Sequence, residues 1–201
     1  MEKSLEELQE ELKDVLKKKR YNHTIGVRYT AQAMAMCFGE DIVKAGYAGM
    51  LHDCAKYLSD VEMMSECTKY HITCSKAEKL KPSLLHAKLG ACYAREKYGM
   101  EDEQVVSAIR WHTTGKPGMN TLEKIIFIAD YIEPDRKMLP GMEEIRKAAF
   151  CDLDKAMYLI LKNTLEYLGD MEERQKECID AYSIDAYDFY KDLWERKNGG
   201  K

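Results

Sequence analysis

The sequence predicts an all-α protein, a single irregular bundle of helices. Three observations carry that expectation. Serine, aspartate or asparagine precedes most of the apolar-periodic stretches, in several cases with glutamate three residues later. Only four prolines occur in 201 residues, so few helices are interrupted. The alternating β-branched runs that mark strands are missing.

Ser4-Leu5-Glu6-Glu7 is a capping box, and Leu5, Leu8, Leu12, Val15 and Leu16 keep a helical period behind it. This amphipathic arm over residues 4–18 is suited to pack on its own bundle or on a second subunit in a homodimer. A second helix is expected from about Asn22 to Phe38, stopped by Gly39, and a third from roughly Asp41 to Tyr57. Ser59-Asp60-Val61-Glu62 caps a fourth, which frays toward His71. The stretch TCSKAEKLKPS reads as a loop, and Ser83 then opens a helix ending near Tyr98-Gly99. Asp102 opens the next, ending at His112-Thr113-Thr114-Gly115. After a turn from Gly115 to Gly118, Asn120 with Glu123 caps a helix that ends at Glu133-Pro134. Two further helices are expected, about Asp152 to Leu168 and Asp170 to Lys197. No repeat, linker or shift in composition marks a boundary. The expectation is therefore one domain over 1–201, with the arm at 1–18, a core at 20–136 and C-terminal helices at 152–197.

Composition narrows the function. A 45% hydrophobic, 33% charged chain is an ordinary globular balance, and no apolar run nears the roughly 20 residues that span a bilayer. MEKSLEELQEELKDVL is acidic, unlike a signal peptide. The seven cysteines are scattered with no C-x-x-C pair, which suits reduced thiols in the cytoplasm. The net charge of −4 supplies no reason to expect a nucleic acid or a membrane as partner. An anionic small molecule would need a local positive centre.

The stretch GMLHDCAKYL, Gly49 to Leu58, puts His52 and Asp53 side by side in an apolar run, with Lys56 one turn on. Burying an imidazole beside a carboxylate is costly without a compensating charge. His23 lies in RYNHTIGV and His86 in SLLHAKLGA, each on the first turn of an expected helix; His112 lies in IRWHTTG at a helix end. Asp130 interrupts the apolar run Ile125, Ile126, Ile128, Ala129. Taken singly, Asp53 can cap a helix break and Asp130 can pair with a lysine or arginine. His71, in polar KYHITC, reads as solvated and without a role. Together, imidazoles and carboxylates from several helices make a ligand set for a divalent metal such as Fe, Mn or Zn. No cysteine is counted in the pattern, which argues against structural zinc.

The order His23, His52-Asp53, His86, His112, Asp130 resembles the HD-domain superfamily of metal-dependent phosphohydrolases. Within it, RYNHTIGV, LHDCAK, LLHAKLGA, WHTTG and IADYIEPDR are similar to the YqeK-type family, the bacterial symmetrical bis(5'-nucleosyl)-tetraphosphatases. The resemblance covers about Tyr21 to the last helix. It implies hydrolysis of diadenosine tetraphosphate to two ADP in an all-helical fold holding one or two ions, iron first, with manganese or zinc as alternatives. Carried over by position, His23, His52, Asp53 and Asp130 would form the primary metal site. His86 and His112 would complete a second site or hydrogen-bond phosphate. Such a metal lowers the pKa of its water from 15.7 toward roughly 7, and Asp53, with two oxygens, is suited to bridge.

Beside these, Lys56 shares the helical face of Asp53 and can bind a phosphate oxygen. Arg20, one turn before His23, and Arg136, after Pro134, can reach phosphate with a bidentate fork. Gly26, one turn past His23, would leave room for a ligand to approach, and the Thr113 hydroxyl can donate to phosphate. Catalytic roles would fall to Asp53, Lys56, His86 and His112; substrate contacts to Arg20, His23, Gly26, Lys56, His86, His112, Thr113 and Arg136. Arg28 and Lys88 lie near the blocks without an assigned role. Met34, Met36, Tyr158, Leu161 and Leu165 have core spacing, and Tyr182, Tyr187, Tyr190 and Trp194 pack the last helix, unless one ring stacks on an adenine. The alternatives are another HD-type nucleotidase or phosphodiesterase, and a nucleotide-binding module without turnover.

Overall fold

The computed structural model describes residues 3–169 and 179–198. They form helices and connecting turns, and no strand occurs among them. Helix α1 (Leu5–Val15) is opened by the Ser4/Glu7 capping box and buries Leu8 and Leu12. It settles on its own bundle: Leu8, Leu12 and Leu16 join the core beside α2 and α3, and Gln9 accepts a hydrogen bond from Arg28 at 2.8 Å.

Helix α2 (Lys18–Phe38) starts four residues before the expected Asn22, so His23 lies inside the helix and not on its first turn. Lys17 at the N-cap makes no side-chain cap bond, so no capping signal announces the start. Gly39 ends α2 with a left-handed φ of 68°. Helix α3 (Ile42–Leu51) is capped by Asp41, but it stops well short of Tyr57. Residues 52–57 are turns closed by i−3 bonds, Cys54 N to Leu51 O at 3.1 Å and Lys56 N to Asp53 O at 2.9 Å. The His-Asp pair therefore sits where a helix opens out.

Helix α4 (Asp60–Lys69) follows its Ser59/Glu62 capping box, and His71 beyond it is exposed with a φ of 54°. The TCSKAEKLKPS segment is not all loop. It holds α5 (Lys76–Leu80), set by a third capping box, Ser75 with Glu78, whose apolar content is too small to show a period. A 3₁₀ turn (Pro82–Leu85) leads into α6 (His86–Glu96), then α7 (Glu103–Trp111) and α8 (Thr121–Ile132). Helix α9 (Met142–Ala149) was not anticipated; its N-cap is Gly141 in the left-handed region, with no side-chain cap bond to betray it. Helices α10 (Leu153–Gly169) and α11 (Ala181–Asn198) complete the chain. The expected start of the last helix, 170–178, lies outside the described residues.

Helix α8 is the hub, with Ile125, Ile126, Ile128 and Ala129 at 0% exposure, packed by α2, α7 and α10. The C-terminal rings make contacts with the bundle and with one another. Tyr190 is fully buried and its hydroxyl accepts from Met119 N at 3.1 Å; Tyr187 and Trp194 stack on Tyr158; Tyr182 meets Trp111 edge-on at 4.8 Å. No helix among the described residues is long and apolar enough to cross a membrane.

Gly49 sets the separation of α2 and α3. A Cβ there would stand 2.8 Å from the Arg28 Cα, a backbone atom that cannot swing aside. At Gly46 the nearest atom is the end of the Gln32 side chain. Gly49→Ala should cost about 1–3 kcal/mol in denaturant unfolding, as overpacking does, and more than Gly46→Ala. Equal costs would show that the helices can part freely at Gly49.

Candidate metal centre

Five helices deliver the expected residues to one point. His23 comes from the second turn of α2; His52 and Asp53 from the end of α3; His86 from the start of α6; His112 from the end of α7; Asp130 from within α8. The four imidazoles and Asp53 are buried. Three of the rings are fixed the same way. Each Nδ1 lies against the carbonyl three residues earlier, His52 on Gly49 at 2.7 Å, His86 on Ser83 at 2.6 Å and His112 on Ile109 at 2.7 Å. A carbonyl only accepts, so the Nδ1 of His52 and of His112 carries the proton and their Nε2 atoms present lone pairs inward, while His86 Nδ1 stands between Ser83 O and the Lys56 ammonium at 2.9 Å. A helix end or turn is where such a carbonyl is available, which is why these histidines stand there.

The inward atoms form two sets that meet at Asp53. His23 Nε2 lies 2.9 Å from Asp130 Oδ1, 3.4 Å from His52 Nε2 and 3.7 Å from Asp53 Oδ2. His52 Nε2 lies 3.4 Å from Asp53 Oδ2. On the other side, Asp53 Oδ1 is 3.2 Å from His86 Nε2 and 3.8 Å from His112 Nε2, and those two nitrogens are 3.0 Å apart. The ligand atoms of His23, His52 and Asp130, and those of His52, Asp53 and His112, all lie within 4.8 Å of one another. These are lone-pair donors crowded together out of water, an arrangement that fits a divalent cation held by nitrogen and oxygen. Cys54, beside Asp53, faces elsewhere: its thiol lies 3.6 Å from Gly90 O and burial pushes its pKa up.

Cations ring this cluster on its open side. Arg20 Nη1 reaches Asp53 Oδ2 at 2.6 Å, and Arg136 donates to Asp130 through Nε on the carbonyl at 2.7 Å and through Nη2 on the carboxylate. Lys56 Nζ lies 2.9 Å from the His86 ring and 3.4 Å from Ser83 O. Burial lowers the Lys56 pKa against the pull of Asp53. Burial alone would raise both aspartates, but the imidazoles around Asp53, and His23 with Arg136 beside Asp130, hold their carboxyls well below the usual range. Thr113 Oγ1 sits 3.1 Å from both His86 Nε2 and His112 Nε2. Above lies a cleft of about 910 Å³, lined by Lys17, Lys19, Arg20, Lys56, Arg136 and Lys137 against Glu62, Glu133 and Asp135. In a chain of net charge −4, basic residues thus outnumber acidic ones around this opening.

Arg20, His23, His52, Asp53, Lys56, His86, His112, Thr113, Asp130 and Arg136 are all brought to this centre. Gly26 needs a different account. The space it leaves is taken by Glu133, whose Oε2 would stand 2.7 Å from a Cβ, so no ligand approaches there. Arg28 pairs with Gln9 and Lys88 with Glu78, both away from the centre. One residue went unread in the sequence: Glu133, 2% exposed, with Oε1 3.1 Å from His23 Nδ1. Its sequence signal was a glutamate ahead of Pro134 at the end of an apolar helix, which reads equally as a solvated helix end.

Burial pushes the His86 imidazole from about 6.5 down to about 4, against the raising pull of Asp53. The unfolded chain therefore takes up this proton first, and stability falls as pH drops from 6.5 toward 4. The aspartates act lower: their contribution is present above their usual 3.8 and is lost only as pH falls further. With divalent ions chelated, urea midpoints should decline between these two pH values, and His86→Asn should flatten the decline. A flat wild-type midpoint would contradict the buried, neutral imidazole.

A family model described as the HD domain matches residues 20–135, from the first turn of α2 past the end of α8, and takes in every histidine and aspartate of the centre. Among curated proteins, a Bacillus subtilis protein named "Bis(5'-nucleosyl)-tetraphosphatase, symmetrical" is 41% identical over 171 residues, covering 85% of this chain and 90% of that one. A protein of the same name from Halalkalibacterium halodurans is 46% identical over 159 residues, covering 78% and 83%. A crystal structure from Clostridium acetobutylicum, titled as a predicted HD superfamily hydrolase involved in NAD metabolism, superposes with a TM-score of 0.89. It is 37% identical, and the match covers 96% of this chain and 100% of that one. The order of histidines and aspartates, their meeting in space and these relatives agree: the chain belongs to the HD-domain family and, within it, to the symmetrical bis(5'-nucleosyl)-tetraphosphatases.

Proposed function

We propose that the protein hydrolyses diadenosine tetraphosphate and related dinucleoside polyphosphates at the central phosphoanhydride, releasing two nucleoside diphosphates. The observation that carries this reading is Asp53, with one oxygen toward His23 and His52 and the other toward His86 and His112, at the foot of a cation-lined cleft. The names of the two relatives supply the symmetrical cleavage and the nucleotide class. His23, His52, Asp53 and Asp130 would hold one ion, and Asp53, His86 and His112 a second, with iron the first choice and manganese or zinc alternatives. A divalent metal there supplies Lewis acidity and a more acidic water.

The chain's own groups account for the rest of the chemistry. In the reaction, a water oxygen forms a bond to one of the two middle phosphorus atoms while the bond to the central bridging oxygen breaks. The bridging oxygen leaves with the other ADP. The negative charges on the non-bridging oxygens of the substrate's two inner phosphates need cationic partners that are already in place. Arg20 and Arg136, at the boundary between buried carboxylates and cleft, have guanidinium N–H groups to donate to those oxygens. Lys56, half-buried beside His86, adds a compact charge on the leaving side, where negative charge grows. Thr113 supplies a hydroxyl at the same edge. Lys17, Lys19 and Lys137 extend the positive surface to the outer phosphates.

Chromatography of products from diadenosine tetraphosphate should show ADP alone. AMP with ATP would mean asymmetric cleavage and reject the reading, and tight nucleotide binding without turnover would reduce the protein to a binding module. His52→Ala and Asp53→Ala should abolish hydrolysis and lower the metal content per chain, whereas His71→Ala should change neither. An active Asp53→Ala enzyme would overturn the assignment of the centre.

A further inference from the structure

His23 differs from its three partners in how it is held. His52, His86 and His112 lean on backbone carbonyls freed by helix ends and turns. His23 lies inside α2, where the carbonyls are consumed by the helix itself. Its Nδ1 instead meets a side chain from the far end of the fold, Glu133 Oε1 at 3.1 Å, and this carboxylate is buried. Among the described residues no lysine or arginine pairs with Glu133; its ionic contact is His23. The other oxygen, Oε2, accepts from Asp135 N at 2.8 Å, which fixes the carboxylate plane. Arg146 secures the backbone beneath it, donating to Ile132 O and Glu133 O at 3.1 Å each. Gly26 completes the arrangement from the α2 side, since any Cβ there would strike Oε2 at 2.7 Å.

We propose that Glu133 is the positioning residue for His23, holding the proton on Nδ1 and turning Nε2 toward the point it shares with Asp53 and Asp130, and that Gly26 exists to admit it. This rests on the reading of His23 as a metal ligand. The Glu133 oxygen is an acceptor, so Nδ1 donates to it, and Nε2, 2.9 Å from Asp130 Oδ1, is the atom left to face a cation. A glutamine at the same place also offers an accepting oxygen and keeps the ring's orientation. An alanine offers nothing, and the ring is then free to turn or to carry its proton on Nε2. A methyl group at Gly26 would expel the carboxylate by another route. If the two act through one contact, their effects cannot add.

Two readouts on the full chain test this. In histidine ¹⁵N spectra recorded with metal chelated, wild type and Glu133→Gln should show His23 with Nδ1 protonated, and Glu133→Ala should lose that pattern. In Mn²⁺ titrations against a competing chelator, Glu133→Ala should bind about 10–100-fold more weakly, the usual cost of losing a ligand's supporting partner. Glu133→Gln should stay within severalfold of wild type. Gly26→Ala should weaken Mn²⁺ binding like Glu133→Ala, and the double variant no further than Glu133→Ala alone. Thermal midpoints of the chelated proteins report any loss of folding separately, and Glu133→Gln and Gly26→Ala carry the comparison should Glu133→Ala unfold. Wild-type Mn²⁺ affinity in Glu133→Ala, or full additivity with Gly26→Ala, would overturn the proposal. His23→Ala separates the two readings: weakened binding there with none in Glu133→Ala defeats only the positioning role, and unchanged binding in both defeats the metal assignment as well.

Discussion

The structure depends on one electrostatic constraint, a knot of lone-pair donors built around Asp53 in the interior of a helical bundle. Two carboxylates and four imidazole nitrogens are closed in where each alone would be unfavourable. What makes the arrangement tolerable is positive charge, and the molecule provides for it twice. Arginines from two different elements already touch the carboxylates, and the convergent nitrogens are shaped for a cation. The burial that makes these groups costly also strengthens any charge that binds them.

The helices can be understood as supports for that knot. Helix α3 gives way to i−3 turns after Leu51, and on this turn Asp53 presents one oxygen to His23 and His52 and the other to His86 and His112. Gly49 serves twice, letting α3 close on α2 and lending its carbonyl to His52. The apolar helix α8 carries Asp130 at one point and Glu133 at its end, so a deeply buried helix aims both carboxylates at His23. Function then depends on local charge. The acidic surface elsewhere keeps the chain at −4 while lysines and arginines from the α1–α2 junction, the Lys56 turn and the α8–α9 connection line the cleft.

Much of this was legible in the sequence where a residue's role is declared by its neighbours. The capping boxes at Ser4, Ser59 and Asn120 located α1, α4 and α8, because capping is a contact three residues long. The six His and Asp positions stood out as polar breaks in apolar runs. What was missed depends on partners far along the chain or on signals too short to show a period. The contact between Glu133 and His23 spans 110 residues, and Gly26 looked like space for a ligand because the side chain that fills it was not in view. Helices α5 and α9 are short, five and eight residues, one rich in lysine and one opening on a glycine. The extent of α3 was overestimated because a run of i−3 turns keeps nearly the same apolar spacing as a helix.

The central claim concerns a cation at Asp53, and anomalous diffraction tests it most directly. Crystals grown with Mn²⁺ or Fe²⁺ should give difference peaks in contact with Asp53 and with the Nε2 atoms of His23 and His52, and, where a second ion is present, of His86 and His112. Catalytically active crystals with no anomalous peak touching Asp53 would contradict the account.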